Sequence, residues 1–359
     1  MSKDYRPLTF DVRNPVVRSP REEWRPHARM SEKSYEWWYV TVHASDNSGR
    51  SYFLFFVVTN YPGDGWQKRF GQTPVDGGRF VWIAGMVSDY DRKEYHKLYE
   101  SRYLPGDTLW SEDDHAVTAD VGNATAWWSY RERHMELRAV FKDVHLELHL
   151  DNTNEVVWHK DKLGVEGMIQ QGAEDDFSFY YSIPRAPTSG HLKIKNADGS
   201  WRHLTISGSS WVDRQWGDFY TLSWEWASFR FDNGARLHLY NFYNGHQEAV
   251  YLTVDGQIHR FDSVIVKQNG YAKAPKVGGT WVSWGWSYEF PIEIEGSRHF
   301  RVEPYSAREF LEVPVIDWAL YEGAGRLIDE RTGEQVGVSV NESADIRVME
   351  NGPYAKRQR

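Results

Sequence analysis

Val144-His145-Leu146-Glu147-Leu148-His149-Leu150 alternates without a break: aliphatic side chains at the even positions, two imidazoles and a carboxylate at the odd ones. Successive side chains of a β-strand point to opposite faces, so this stretch reads as a strand with one apolar and one polar side. Lys142-Asp143 makes a turn before it, and the segments 135–141 and 124–128 alternate in the same way behind a second turn at Gly122-Asn123. The polar face raises the possibility of a metal, since His145, Glu147 and His149 share it. The aliphatic face opposite makes solvent the simpler neighbour. No His-x-x-x-His helix or His-x-His…Glu set adds ligands, so no metal is expected.

The same rhythm continues in both directions. Tyr35-Glu36-Trp37-Trp38-Tyr39-Val40-Thr41-Val42 has strand propensity throughout, and Asp46-Asn47-Ser48-Gly49 turns it into a second strand, 52–58. Residues 60–78 are rich in glycine and suit a loop at a pocket mouth. Further strands read at 80–89, 189–195, 201–210, 222–231, 235–243, 246–254, 257–266 and 280–290, and the last segments end near Met349. Asp232-Asn233-Gly234 and Asp255-Gly256 supply turns between them. No long stretch keeps a helical period. About twenty short strands in two groups make an all-β chain of two antiparallel barrels or sandwiches. Pro184-Arg185-Ala186-Pro187 is the best boundary. The expected organisation is an extended arm over 1–33, a first barrel over 34–187, a second over 188–350 and a tail over 351–359.

Composition narrows the function. The 359 residues carry a net charge of -9, which argues against nucleic acid, whose phosphates need a basic face. Mean hydropathy is -0.67, and no apolar run is long enough for a spanning helix. Cysteine is absent, which excludes disulfides, thiolate metal sites and a cysteine nucleophile. The opening Met-Ser-Lys-Asp-Tyr-Arg-Pro lacks the apolar region of a secretory signal, so a cytoplasmic location is expected. Aromatic residues reach 16%, with 18 Trp and 21 Tyr, more indole than a core alone requires. Sites for sugars or for large apolar ligands both look like this. There is no Gly-x-Ser-x-Gly elbow, phosphate loop or dinucleotide fingerprint.

Two stretches carry candidate chemistry. In Ser209-Ser210-Trp211-Val212-Asp213-Arg214-Gln215-Trp216-Gly217-Asp218, strand geometry puts Trp211, Asp213 and Gln215 on one side and Val212 and Arg214 on the other, until Gly217 releases the chain. A carboxylate dried by aromatic rings has a raised pKa and can serve as a general acid near neutrality. The competing reading makes Asp213 a hairpin-corner cap for backbone N–H groups. In the first strand, Glu36 shares a face with Trp38, Val40 and Val42, a local conflict of the kind expected at functional sites.

Glu36-Trp37-Trp38-Tyr39 and Ser210-Trp211-Val212-Asp213-Arg214-Gln215-Trp216-Gly217 resemble signatures of the lipocalin-like carotenoid 1,2-hydratase (hydroxyneurosporene synthase) family. That family also includes kievitone hydratase and fungal Diels–Alderases. Phe179-Tyr180-Tyr181-Ser182-Ile183-Pro184 with Ser189-Gly190 is similar to its interdomain segment, and the run from Trp224 to Gly234 to the strand and turn that follow. The resemblance implies two lipocalin-like antiparallel β-barrels packed together, a bulky hydrophobic small-molecule ligand, and no metal or organic cofactor. It also implies Asp213 as proton donor, Glu36 as a second polar anchor and Trp38, Trp211 and Trp216 as aromatic walls, with Tyr180 and Trp224 as further substrate contacts. The chain departs from the family where hydratase-like members tend to have His-Glu, at Arg214-Gln215, and where they tend to have a His, at Gly85. These losses weaken hydration relative to isomerisation or cyclisation, for which positioning and a donor suffice. An enzyme of acid-assisted chemistry on an unsaturated isoprenoid or polyketide is the leading expectation. A non-catalytic intracellular lipid or isoprenoid carrier of lipocalin type is the alternative, and a glycan-active protein pairing Glu36 with Asp213 is a third reading.

Overall fold

The computed structural model describes residues 18–75, 77–105, 108–153, 155–160, 165–171, 176–220, 223–242, 246–274, 277, 281–313 and 318–344. The tail expected at 351–359, Met349 and the first seventeen residues of the arm lie outside the described residues. The rest of the arm is packed rather than extended: Glu22–Trp24 forms a 3₁₀ turn, and Trp24 is fully buried.

In the first unit, β1 (Ser34–Asp46), β2 (Ser51–Tyr61), β3 (Gly78–Asp89) and β4 (Glu94–Pro105) form one antiparallel meander. A six-residue helix, α1 (Asp64–Arg69), occupies part of the loop expected before β3. After the short β5 (Trp110–Ser111), strands β6 (Ala116–Val121), β7 (Ala124–Tyr130), β8 (His134–Val140) and β9 (Val144–Asp151) form a second meander. The short β10 (Val157–Trp158) and β11 (Met168–Gln170) pair with β12 (Phe177–Lys195), which turns into β13 (Trp201–Asp218). The order β4-β3-β2-β1-β13-β12-β9-β8-β7-β6-β5 makes the β12–β13 hairpin the bridge between the meanders.

The second unit repeats the plan. Its strands are β14 (Trp224–Phe231), β15 (Arg236–Phe242), β16 (Gln247–Leu252), β17 (Ile258–Phe261), β18 (Ile265–Gln268), β19 (Tyr271–Lys273) and β20 (Trp281–Ser283). They continue with β21 (Trp286–Ile294), β22 (Ser297–Pro304), β23 (Phe310–Val313), β24 (Trp318–Asp329) and β25 (Gln335–Ala344). The main sheet runs β17-β16-β15-β14-β25-β24-β22-β21-β18, with β23 on β24 and β19–β20 a separate pair. Each unit is thus a curled antiparallel sheet of lipocalin-like type, as the strand rhythm and the family resemblance imply. Gly122, Gly234 and Gly256 take positive φ at the turns assigned to them.

The boundary expected at 187 falls inside β12. The division comes at Phe219/Tyr220, with short pieces between 160 and 176 joining the second unit. The reason is the pairing of β12 with β13, which runs from Phe177↔Asp218 to Lys195↔Trp201 with one register shift between Ile183 and Ala186. Pro184, lacking an N–H, falls at that bulge and so is tolerated within a strand. Gly217 likewise stays in β13 rather than ending it. A Cβ there would lie 2.2 Å from the Phe177 carbonyl oxygen.

One face of the first sheet builds its core, with Val40, Val42, Phe56, Leu137, Leu148, Phe179, Ile183, Val212 and Trp216 among the contributors. β9 alternates buried and open, but β13 is buried on both faces from Ser210 to Asp218. The candidate acid lies in that doubly covered half.

Candidate active site

β13 is flanked by β1 and β12, and the antiparallel register fixes what faces Asp213. Tyr39 lies opposite it on β1 and Ser182 on β12. Directly opposed residues share a face, so all three point away from the Val212–Trp216 core. Tyr180, two residues before Ser182, joins the same side. This pleat, set by a period of two, brings three side-chain donors to one carboxylate. Ser182 Oγ donates to Asp213 Oδ1 at 2.5 Å, Trp211 Nε1 to the same oxygen at 2.7 Å, and the Tyr180 hydroxyl to Oδ2 at 2.7 Å.

Asp213 is 3% exposed. Burial drives its carboxyl up, the three hydrogen bonds pull it partly back, and the balance leaves it at about 7. Among its described contacts no cation offsets the burial. The hairpin-corner reading does not hold, because Asp213 sits in mid-strand and its described partners are side chains.

Behind Ser182 stands His159, fully buried, its Nε2 2.8 Å from Ser182 Oγ and its ring stacked on Tyr180 at 4.0 Å. Since the Ser182 hydrogen goes to Asp213, His159 Nε2 is the donor to Ser182. Sequence reading misses His159, which lies on the connection after β10 and approaches only through the fold. Ser182 had a usable signal: it is two residues from Tyr180 on a strand paired with Asp213's own.

Glu36 lies on the other side of the sheet. It pairs in register with Trp216, and its carboxylate meets Arg214, which leaves β13 toward the core. Arg214 Nη2 donates to Glu36 Oε2 at 2.5 Å, and the guanidinium also reaches the carbonyls of Glu23, Arg25, Trp37 and Gln215. Its carbon sits 4.0 Å over the Trp38 ring and 5.2 Å over Trp216. Glu36 accepts further bonds from Asn60 Nδ2 at 2.6 Å and from the His27 backbone N–H at 3.1 Å. Burial would raise the Glu36 carboxyl, but the Arg214 charge and the His27 hydrogen bond outweigh it and hold it at about 2.

The sequence-derived set therefore divides. Asp213, Trp211 and Tyr180 come together. Glu36, Trp38 and Trp216 gather around Arg214 instead, with His27 stacked on Trp216 at 4.5 Å. Trp224 belongs to the second unit, where its Nε1 donates to Glu342 at 2.7 Å. Beside it Glu225 is buried and raised, receiving Gln268 and Trp286 donors at 2.8 and 3.1 Å. The positions that depart from the hydratase pattern also separate by face. Arg214 and Gly85 belong to the core face, Gly85 pairing with Phe56. Gln215 shares Asp213's face and donates to Ser178 at 2.7 Å.

Two curled antiparallel sheets define a lipocalin-like β protein. The profile of the family described as AttH-like matches residues 17–337, and the chain belongs to that family. This agrees with the carotenoid hydratase-like resemblance carried by the Glu36 and Asp213 signatures. A crystal structure from Nitrosomonas europaea described as an AttH is similar over 93% of this chain and 98% of its own, at 16% identity and a TM-score of 0.71. Kievitone hydratase from Nectria haematococca is similar over 94% of this chain and 96% of its own, at 15% identity and a TM-score of 0.65. At those identities the likeness is one of fold. No curated protein matches the chain. Among the described residues no helix is long and apolar enough to cross a membrane.

Proposed function

We propose that the chain is a cofactor-independent enzyme in which Asp213 is the general acid for hydration, isomerisation or cyclisation of a bulky hydrophobic, unsaturated natural product. The observation that carries this reading is a buried carboxyl at about 7 held by three neutral donors. In its protonated form Asp213 gives H⁺ to an alkene carbon or a carbonyl oxygen. The carboxylate left behind is then stabilised by Ser182, Trp211 and Tyr180, which already point at it. The cationic substrate loses a proton to that carboxylate from a neighbouring carbon in isomerisation, or from an added water in hydration. Asp213 is regenerated in either case, so one residue serves as acid and then base.

Trp211 and Tyr180 place aromatic rings at the acid through their hydrogen bonds to it, and π systems there suit a cationic intermediate. Glu36 is assigned no step: it is a counter-ion to Arg214 on the opposite face. That separation also disfavours a glycosidase pairing of Glu36 with Asp213. Support from kinship is the fold shared with kievitone hydratase, whose name denotes a hydratase.

The test is mass spectrometry of apolar material that co-purifies with the protein, followed by incubation of that compound with wild type and Asp213→Asn. Conversion by the wild type alone supports the reading. A compound bound tightly and recovered unchanged from both makes the protein a carrier and overturns it.

A further inference from the structure

The first unit carries a second polar cluster, on the outward face of the β8–β9 hairpin. His134 and Glu136 are two residues apart on β8 and share a face. The register sets Asp151 opposite His134 and His149 opposite Glu136. The result is a two-by-two array, with imidazoles on one diagonal and carboxylates on the other. The two rings stack at 4.7 Å and 29°. One ligand atom from each of His134, Glu136 and His149 lies within 4.8 Å of the other two.

The surrounding contacts support the array. Arg138 Nη2 sits 3.5 Å from Glu136 Oε2, while Oε1 is turned to His134 Nε2 at 3.4 Å. Asp151 Oδ1 lies 3.2 Å from His149 Nε2. The side chains of His134 and His149 are 33% and 46% exposed, and Glu136 and His149 also line a groove of about 340 Å³, so an ion can reach them from water. This is a different set from the one suggested by His145-Leu146-Glu147-Leu148-His149. His145 lies against the Trp201 ring at 4.7 Å, and Glu147 is drawn to Arg138 at 3.6 Å. Only His149 of that trio contributes, and its companions come from the neighbouring strand.

We propose that His134, Glu136 and His149 bind one divalent transition-metal ion of the Zn²⁺ class. Two imidazoles and a carboxylate suit this ion and leave a position for water. Asp151 orients His149 from behind, or completes the set as fourth ligand. The ion ties β8 to β9 in the folded state and is independent of Asp213. Because it binds the folded hairpin, it raises thermal stability by mass action.

The test is isothermal titration of tag-free, chelator-stripped protein with Zn²⁺, with thermal unfolding measured in parallel. Wild type is expected to bind one ion and to unfold at higher temperature when Zn²⁺ is present. Loss of an outer-shell partner alone weakens metal sites by about 10–100-fold, so His134→Ala, His149→Ala and the isosteric Glu136→Gln should each cost at least about tenfold. His145→Ala should bind as wild type. No saturable binding by wild type, or binding that survives His134→Ala and His149→Ala, overturns the proposal.

Discussion

Asp213 and Arg214 are consecutive residues whose side chains leave β13 on opposite faces and enter opposite electrostatic settings. Asp213 meets a phenol, a hydroxyl and an indole, all neutral, and its carboxyl rises to about 7. Arg214 meets Glu36 and, with His27, holds that carboxyl at about 2. One buried carboxylate is poised to exchange a proton near neutrality and the other is kept ionised. The peptide plane between positions 213 and 214 thus separates the candidate chemistry from the fastening of the barrel.

Asp213→Asn removes the transferable proton with almost no change in volume. Turnover of the substrate is expected to fall by about 10²–10⁴-fold, the usual worth of a general acid. Ligand binding, read by quenching of tryptophan fluorescence, should change little. Unchanged turnover would remove Asp213 from the mechanism.

The pH dependence of stability follows from the same residue. Its carboxyl moves from 3.8 to about 7 on folding, so between those values the native state holds a proton that the unfolded chain has released. Unfolding free energy therefore falls with rising pH across this window and levels off above it. At about 1.4 kcal/mol per unit, the penalty is on the order of 4 kcal/mol. Asp213→Asn should lack this slope. Denaturant unfolding of both proteins from pH 4.5 to 8 checks it, and parallel curves would contradict it.

Glu36→Gln leaves the Arg214 guanidinium buried without its counter-ion, and a destabilisation of about 3–5 kcal/mol is expected. Glu36→Gln with Arg214→Met should recover much of that loss, since the charge and its partner leave together. The wild-type contribution is fully present above pH 4.5 and fades as pH falls through 2, the sign for a depressed carboxyl. A double-mutant cycle by denaturant unfolding measures the coupling.

Ser182→Ala deletes one donor to the Asp213 carboxylate, so the ionised form loses support and the carboxyl rises further. A hydrogen bond to a charged group is worth about 1.5–3 kcal/mol, which corresponds to about one unit or more. The alkaline limb of the pH–rate profile should move up by that amount while the rate falls. Trp211→Phe, which removes the other donor to Oδ1, should move it in the same direction. A limb that stays in place in both variants would show that these donors do not act on Asp213.

Much of the fold is legible because strand periodicity is a short-range signal. Residues 144–150 announce β9, and the same period correctly places Trp211, Asp213 and Gln215 on one side. The division of roles between Asp213 and Glu36 is not legible, and the reason is physical. From Ser210 to Asp218 both faces of β13 are buried, so hydrophobicity no longer distinguishes core from site. Glu36 appears as a polar residue in apolar company because its partner, Arg214, lies 178 positions away. The unit boundary at 219/220 is hidden for a similar reason. Pro184 and Pro187 look like a linker until the pairing of β12 with β13 shows Pro184 at a bulge and Pro187 in register with Ser209.

The two-sided use of β13 also has a consequence for how such a protein can change. Substitutions among Tyr180, Ser182, Trp211, Gln215 and His159 alter what surrounds the acid without touching the Glu36–Arg214 clasp. A new reaction can be tried on one surface of the sheet while the other continues to secure the scaffold. Diversification of chemistry at constant architecture is what that arrangement permits.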